Sequence, residues 1–95
     1  MRKYELMFIA HPDLDDAALT SLVDKAKGWV AGAGGQVDQV DLWGRRRLAY
    51  PIRKQNEGQY ILMQTQLSPN GTREVERNLR LTEQVVRFLL VRTDD

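Results

Sequence analysis

Residues 44–52 read GRRRLAYPI, and they determine which strand lies at the edge of the predicted sheet. Leu48, Tyr50 and Ile52 alternate with Ala49 and Pro51, as on a β-strand that buries one face. Three arginines and a proline in the same stretch are typical of an edge strand, because charge and a missing backbone donor discourage pairing with other chains. We therefore predict an edge strand with Leu48, Tyr50 and Ile52 turned toward the core.

The strand that contains this stretch is predicted to run from residue 37 to residue 52, and its apolar pattern changes phase. Val37 is odd-numbered, whereas Val40 and Leu42 are even-numbered, so a bulge is expected between residues 37 and 40. Residues 55–58, QNEG, are a turn signal. They predict that residues 60–67 pair back on this strand as a hairpin.

The remaining elements follow from periodicity and from residues that begin or end helices. Residues 2–10 alternate as a strand that Pro12 ends, and Ser68-Pro69 suits the start of a second helix. The first helix is expected to begin after an N-cap at Asp15 and to end at Gly34-Gly35. The predicted buried positions are Leu19, Leu22, Val23, Ala26, Val30 and Ala33 in the first helix, Val75 and Leu79 in the second, and Val86, Phe88 and Leu90 in a last strand.

The order strand, helix, strand, strand, helix, strand predicts an α+β fold. Two split βαβ units make a ferredoxin-like βαββαβ sandwich, in which one four-stranded antiparallel sheet carries two helices on one face. In this topology the second strand is an edge, and the first and third are central. A chain of 95 residues is expected to form this as a single domain, 1–95.

The composition excludes several functional classes and points to a polyanion partner. There is no cysteine, so thiol catalysis and thiolate metal sites are excluded, and no cofactor or metal is expected. The chain has no apolar run long enough for a bilayer and its first residues are not typical of a signal peptide, so we expect a cytoplasmic protein. The net charge is −3 over residues 1–41 and +6 over residues 42–92. A basic half can attract a polyanion locally.

The sheet face away from the helices is predicted to be partly apolar and partly basic. Strand parity assigns to this open face Lys3, Met7, Ile9, Trp43, Arg45, Arg47, Tyr60, Leu62, Arg87, Leu89 and Val91. Arg46 has the opposite parity and is expected to point toward the helices. Because no third layer is predicted, the apolar residues would form an exposed patch, which usually marks a docking surface.

Several stretches resemble one known family over essentially the whole chain. They are MRKYE at residues 1–5, RRLAYPI at residues 46–52, and Lys54, Gly58 and Tyr60. They are similar to the bacterial small ribosomal subunit protein six family. The resemblance implies the ferredoxin-like fold and a non-enzymatic component that binds the central domain of small-subunit ribosomal RNA. It also implies a heterodimer with small-subunit protein eighteen.

The resemblance assigns different roles to the basic and the apolar residues. Arg2, Lys3, Arg45, Arg46, Arg47, Lys54 and Arg87 become candidate contacts for RNA phosphates. Trp43, Tyr60, Leu62, Leu89 and Val91 become candidate contacts for the protein partner. Relatives commonly carry a longer tail, so the three residues after Arg92 leave any role of such a tail open here.

Three alternatives compete with this interpretation. An RNA-recognition motif needs aromatic residues on the open face of both central strands, but at these positions the first strand offers Met7 and the third only Tyr60. An enzyme is disfavoured because His11 is the only histidine and has no evident nucleophile beside it. A small ligand-binding or regulatory homodimer that pairs through the open face stays possible, and sedimentation distinguishes it.

Overall fold

The computed structural model describes residues 1–52 and 54–93. Its elements are β1 (Arg2–Ala10), α1 (Asp16–Gly32), β2 (Gln36–Ile52), β3 (Gln55–Leu67), α2 (Gly71–Leu81) and β4 (Val85–Arg92). The four strands form one sheet in the order β2-β3-β1-β4, and each neighbouring pair is antiparallel. The predicted ferredoxin-like order is confirmed, with β2 at an edge and β1 and β3 in the centre.

The main core lies between the sheet and the two helices. Phe8 and Ile61 of the central strands are fully buried, and Leu22 of α1 and Leu79 of α2 pack in the same cluster. Both helices therefore cover the same side of the sheet. Burial of these side chains removes apolar surface from water, which is the main favourable contribution to folding. The one buried polar side chain among the described residues, Thr65, donates a 3.0 Å hydrogen bond to the carbonyl of Tyr4.

The predicted ends of α1 are confirmed. The Asp15 carboxylate accepts a 2.8 Å hydrogen bond from the backbone N–H of Ala18, as expected of an N-cap. At the other end, Gly34 has φ 82 and its N–H donates to the carbonyl of Ala31. A left-handed residue after the last turn satisfies carbonyls that the helix leaves open. The Asp15 cap and the turn at Gly34 thus determine where α1 begins and ends.

The hairpin of β2 and β3 is longer than predicted. Residues 55–58 were expected to form the turn, but Gln55 pairs with Ile52 and Glu57 pairs with Arg47. The prediction is wrong because Lys54, with φ 65, already takes the left-handed conformation that a tight reversal requires. Since β1 ends its pairing with β3 at Gln59, the part of the hairpin beyond that residue projects past the central strand.

Two bulges set the phase of β2. The first lies between Val37 and Gln39, where one was predicted. The second lies between Leu42 and Gly44, where Gly44 has φ 80, and it was not predicted. An extra residue moves every later side chain to the other face of the strand. The side chains of Arg45, Arg46 and Arg47 therefore lie on the opposite side from the prediction, and the pairing shifts a third time between Arg47 and Ile52.

The predicted direction of the second half of β2 is wrong as a consequence. Leu48 is buried, but it packs against Ile9 and Val86 on the open face instead of against the helices. Ile52 packs against the same group. Tyr50 lines the open face as well. Arg46, expected to point toward the helices, pairs with Gly58, whose missing side chain leaves room for Ile9 of that face.

Val86 also lies on the open face, although it was predicted to face the helices. The pairing of β1 with β4 shifts between Ile9 and Ala10, so that Ala10 lies opposite Val85 and Ile9 lies opposite Arg87. Val86 is the extra residue between these two pairs. Phe88 beyond the shift packs against the main core as predicted.

The part of the β2–β3 hairpin beyond Arg47, the hairpin tip, therefore forms a partial third layer over one end of the open face. Leu48 of the tip reaches Val86 of β4, and the Tyr50 hydroxyl accepts a 2.6 Å hydrogen bond from Nη1 of Arg87, also in β4. The expectation that nothing covers the open face is wrong at this end. Within the described residues, no helix combines the length and the apolar character that crossing a bilayer requires.

Candidate nucleic-acid and protein interface

The open face is organised in cross-strand rows of different chemistry. One row joins Leu62, Met7 and Leu89 of β3, β1 and β4 through directly opposed positions. The next row toward the hairpin tip joins Tyr60, Ile9 and Arg87 and is the row that the tip covers. The row on the far side joins Gln64, Glu5 and Val91, and the side chains of Gln64 and Glu5 are hydrogen-bonded at 3.2 Å. The tip end is thus basic, and the far end is polar except for Val91.

All seven predicted phosphate contacts are exposed to solvent. They are Arg2, Lys3, Arg45, Arg46, Arg47, Lys54 and Arg87. Four of them, Arg45, Arg46, Arg47 and Lys54, lie on the projecting hairpin, and Arg87 is tied to it through Tyr50. Arg2 and Lys3 lie at the start of β1, which is nine residues long. They are therefore at the end of the sheet opposite the hairpin. The structure therefore brings five of the seven together and leaves two apart.

The arginines of the hairpin do not share one face. Arg45 and Arg47 lie opposite Gln59 and Glu57, on the side of the helices, and not on the open face as predicted. Arg45 has protein partners: Nη2 donates a 2.5 Å hydrogen bond to the carbonyl of Pro12, and Nη1 lies 3.8 Å from Oε2 of Glu57. Both carboxylate and guanidinium are about half exposed, so this ion pair is weak. Arg45 is partly a structural residue.

Arg46 lies over an aromatic pair on the open face. Its guanidinium carbon is 5.5 Å from the ring centre of Trp43, and that ring stacks on Tyr60 with a centroid distance of 6.4 Å and an angle of 7°. A cation over an aromatic ring is attracted by the ring quadrupole. The stack places a positive charge at the boundary between the hairpin and the sheet.

The candidate partner contacts form a partly exposed apolar surface. Leu89 is 59% exposed, Val91 45% and Trp43 42%, whereas Tyr60 and Leu62 are half-buried. Tyr60 is covered by the stack and by the hairpin cluster, so only part of it can contact another molecule. The row of Leu62 and Leu89 is the continuous part of this surface.

A groove lies between the hairpin tip and the sheet. Its volume is about 230 Å³, and its walls include Met7, Leu48, Tyr50, Arg87 and Leu89. The apolar row opens into it, because Met7 and Leu89 belong to both. The sequence pattern predicted Tyr50 in the core, and Met7 was not among the predicted partner contacts. The parity of Met7 was sufficient to include it, whereas the position of Tyr50 depended on the unpredicted bulge.

The far end of the open face carries a hydrogen-bonded carboxylate. The Asp38 carboxylate accepts from the Gln66 amide at 3.0 Å and from the Gln36 amide at 2.8 Å. The Gln66 amide, with a smaller contribution from Gln36, holds the pKa of the Asp38 carboxyl below its ordinary value of 3.8. This end of the face therefore carries a carboxylate close to Lys3 and is of mixed charge, in contrast to the tip end.

The loop histidine contacts a neighbouring aspartate. His11 Nδ1 accepts a 3.2 Å hydrogen bond from the backbone N–H of Asp13 and lies 3.7 Å from its carboxylate. No group of three or more histidine, aspartate or glutamate side chains converges on a common point in residues 1–52 and 54–93. The site is a surface of charge and apolar contacts, which suits binding to macromolecules.

Comparison with known proteins identifies the family of this chain. The family model described as ribosomal protein S6 matches residues 3–92. The chain is 44% identical over 95 residues to small ribosomal subunit protein bS6 of Caldanaerobacter subterraneus, and the match covers 100% of both chains. It is 48% identical over 91 residues to the bS6 protein of Clostridium novyi, covering 96% of both.

A solved structure extends the likeness to three dimensions. The 30S ribosomal protein S6 of Thermotoga maritima superposes with a TM-score of 0.92 at 31% identity, over 97% of this chain and 87% of that one. The relatives are ribosomal proteins and not enzymes. By family model, full-length identity and fold, the chain belongs to the ribosomal protein S6 family of the small ribosomal subunit.

Proposed function

We propose that this protein is a structural component of the small ribosomal subunit in the cytoplasm. In this proposal it binds the central domain of small-subunit ribosomal RNA together with small-subunit protein eighteen. The observation that carries the proposal is the projecting hairpin, which places exposed arginines next to a partly exposed apolar row. A polyanion and an apolar protein surface can therefore be bound side by side.

RNA binding is assigned mainly to the hairpin. Arginine suits phosphate because its planar fork can donate two hydrogen bonds at once. Arg46 and Arg47 lie on opposite sides of β2, so the hairpin can contact phosphates on both of its faces. Such contacts displace counterions and carry little sequence information. Folded RNA is then recognised through the position of its phosphates and hydroxyls, and affinity falls as salt rises.

Protein eighteen is assigned to the apolar row. Leu62, Met7 and Leu89 lie in directly opposed positions, and Leu89 is the most exposed of the predicted partner contacts. Docking there leaves the hairpin arginines accessible. A pair of proteins that holds two phosphate-binding surfaces on one rigid body binds RNA more tightly than either protein alone, because the second contact becomes intramolecular.

The homodimer alternative and the small-ligand alternative are less well supported. The groove of about 230 Å³ is smaller than the roughly 300–1,000 Å³ of typical small-molecule sites. A symmetric dimer through the open face would occupy the same apolar row of Leu62, Met7 and Leu89 and would therefore compete with protein eighteen. Sedimentation of the isolated chain at micromolar concentration tests the dimer directly.

The test compares two double variants that remove the same charge from different places. Arg46→Ala with Arg47→Ala removes it from the hairpin, and Arg73→Ala with Arg77→Ala removes it from the exposed side of α2. Binding to central-domain RNA with protein eighteen present is measured at several salt concentrations. We expect the hairpin variant to weaken binding about tenfold or more and to lower the salt slope by about 0.7–0.9 for each phosphate that is no longer neutralised.

The α2 variant should bind RNA much as the wild type does. Equal reductions in affinity from both variants would show that only net charge matters and would contradict an RNA site on the hairpin. A wild-type chain that binds RNA equally well with and without protein eighteen would contradict the joint mode of binding. Arg45 is left out of the variants because its contacts with Pro12 and Glu57 mix stability with binding.

A further inference from the structure

We propose that the groove beneath the hairpin tip is an anchor pocket for one large apolar side chain of the protein partner. The partner segment that supplies it also brings a carboxylate to Arg87. This inference rests on the proposed function, because it describes how the protein partner of that function is held. It assigns a partner-binding role to Leu48 and Tyr50 of the tip, which are not part of the row of Leu62, Met7 and Leu89.

The size and the lining of the groove fit a side chain. A volume of about 230 Å³ is below that of typical small-molecule sites and accommodates a single large residue. Met7 and Ile9 of β1 and Leu48 of the tip supply apolar contact, and among the described residues Arg87 is the one charged residue in the lining of the groove. Well-packed pockets that take one anchoring side chain often dominate the energy of a protein interface.

The same lining disfavours an RNA base as the occupant. A base has donors and acceptors along its edge, and burying them without hydrogen-bonding partners is costly. Among the described residues of the lining, the polar side-chain groups apart from Arg87 are the hydroxyls of Tyr50 and Tyr60. The hydroxyl of Tyr50 accepts from Arg87 and keeps one O–H to donate, so the lining offers few partners for the edge of a base. An apolar side chain needs no such partners.

The charge at the rim selects the chemistry of the partner segment. Arg87 is exposed, and its Nη1 donates to Tyr50, which holds the guanidinium at the rim with further N–H groups on the same planar fork. Arg46 adds positive charge nearby through its position over Trp43. A carboxylate next to the anchoring side chain is favoured there, and a lysine or arginine is disfavoured.

Continuity with the apolar row makes the pocket reachable. Met7 and Leu89 line the groove and also belong to the exposed row. A partner segment that lies along this row enters the groove at its end without leaving the protein surface. The row and the pocket are then two parts of one interface, and the tip forms its closed end.

The experiment crowds the pocket from the hairpin side. Ala49 lines the groove and is exposed, so Ala49→Phe adds a bulky ring at the rim of the groove without removing a buried contact. Ala17→Phe adds the same ring at an exposed position of α1 and is the matched control. Titration calorimetry with protein eighteen measures the dissociation constants, and circular dichroism melts check folding. We expect Ala49→Phe to weaken the pair about tenfold or more and Ala17→Phe to change it less than about twofold.

Two further variants test the walls and the charge. Leu89→Ala truncates an exposed side chain in the wall of the groove. It should therefore weaken the pair, and it tests the pocket even if Ala49→Phe does not fold. Arg87→Gln should weaken the pair and flatten its salt dependence, because the proposed carboxylate loses its charged partner. If Arg87→Gln leaves the salt dependence of the pair unchanged, the proposed carboxylate on the partner segment is overturned.

The outcomes separate this inference from the proposed function. If the wild type binds protein eighteen and folded Ala49→Phe binds equally tightly, the pocket is overturned and the proposed function stands. If the wild type does not bind protein eighteen, both are overturned. Binding of central-domain RNA by the chain alone is measured in parallel. If Ala49→Phe weakens only that binding, the groove takes RNA and the pocket for a protein side chain is overturned.

Discussion

The hydroxyl of Tyr50 in β2 and Nη1 of Arg87 in β4 are 2.6 Å apart, although these strands form opposite edges of the sheet. The contact exists because the β2–β3 hairpin bends across the open face. It joins residues separated by 37 positions in the sequence. The hydrogen bond therefore reports directly whether the hairpin tip lies on the sheet.

Tyr50→Phe removes this hydrogen bond and keeps the ring. Both residues are exposed, so the expected decrease in stability is at the low end of the usual 0.5–1.5 kcal/mol, about 0.5 kcal/mol. We expect amide exchange to quicken about twofold in residues 48–50 and to stay unchanged in residues 61–63 of the central strand. Exchange that quickens equally in both segments would show that the contact stabilises the whole fold and not the tip.

Leu48→Ala tests the face to which the second half of β2 belongs. Leu48 is only 8% exposed and packs against Ile9 and Val86, so truncation should lower the free energy of unfolding by about 2 kcal/mol or more. Leu42→Ala is the control in the same strand. Leu42 is 58% exposed, and its truncation should cost no more than about 0.5 kcal/mol. Urea unfolding measures both, and equal destabilisation would contradict the packing of the tip.

Gly58→Ala and Gly28→Ala should change stability in opposite directions. A Cβ at Gly58 would overlap Cγ2 of Ile9, a buried and β-branched residue that cannot easily move. We expect destabilisation by about 1–3 kcal/mol in thermal unfolding. A Cβ at Gly28 in α1 meets nothing within 4 Å, and alanine there should stabilise the protein by about 0.5–1 kcal/mol. Stabilisation by Gly58→Ala would contradict the close approach of β1 and β3 at this point.

The Asp38 carboxyl should titrate with a pKa below 3.8, because the Gln66 and Gln36 amides favour its charged form. A folded-state pKa below the unfolded value gives stability that is present above 3.8 and is lost as pH falls through the lower folded value. Gln66→Ala should raise the pKa of Asp38 toward 3.8 in an NMR titration. Gln39→Ala is the control, because Gln39 donates to Asp41 and not to Asp38. An unshifted midpoint after Gln66→Ala would show that the pKa has another cause.

The element order, the edge position of β2 and the cap at Asp15 were predictable because each depends on local pattern. The apolar period, a capping side chain and the arginines and proline of residues 44–52 are all read within one segment. The seven basic candidates are exposed as a charged surface requires. Their role in RNA binding stays a prediction.

The errors arise where one residue changes the phase of a strand. The bulge at Gly44, where φ is 80, turns Leu48 toward the open face. In the sequence, the glycine alone indicates this bulge. A glycine inside a strand often marks such a bulge, so this error was avoidable. The bulge beside Val86 has no comparable signal, since it depends on how β4 pairs with Ile9 and Ala10. The bend of the hairpin across the sheet likewise depends on contacts between distant residues.

The two tryptophans lie on opposite sides of the sheet, which gives the protein two separate fluorescent reporters. Trp29 in α1 packs against the main core, whereas Trp43 stacks on Tyr60 and is 42% exposed. Emission from Trp29 follows melting of the helical layer, and emission from Trp43 responds when another macromolecule excludes water from its ring. Single-tryptophan variants can therefore time assembly and unfolding independently, without any added dye.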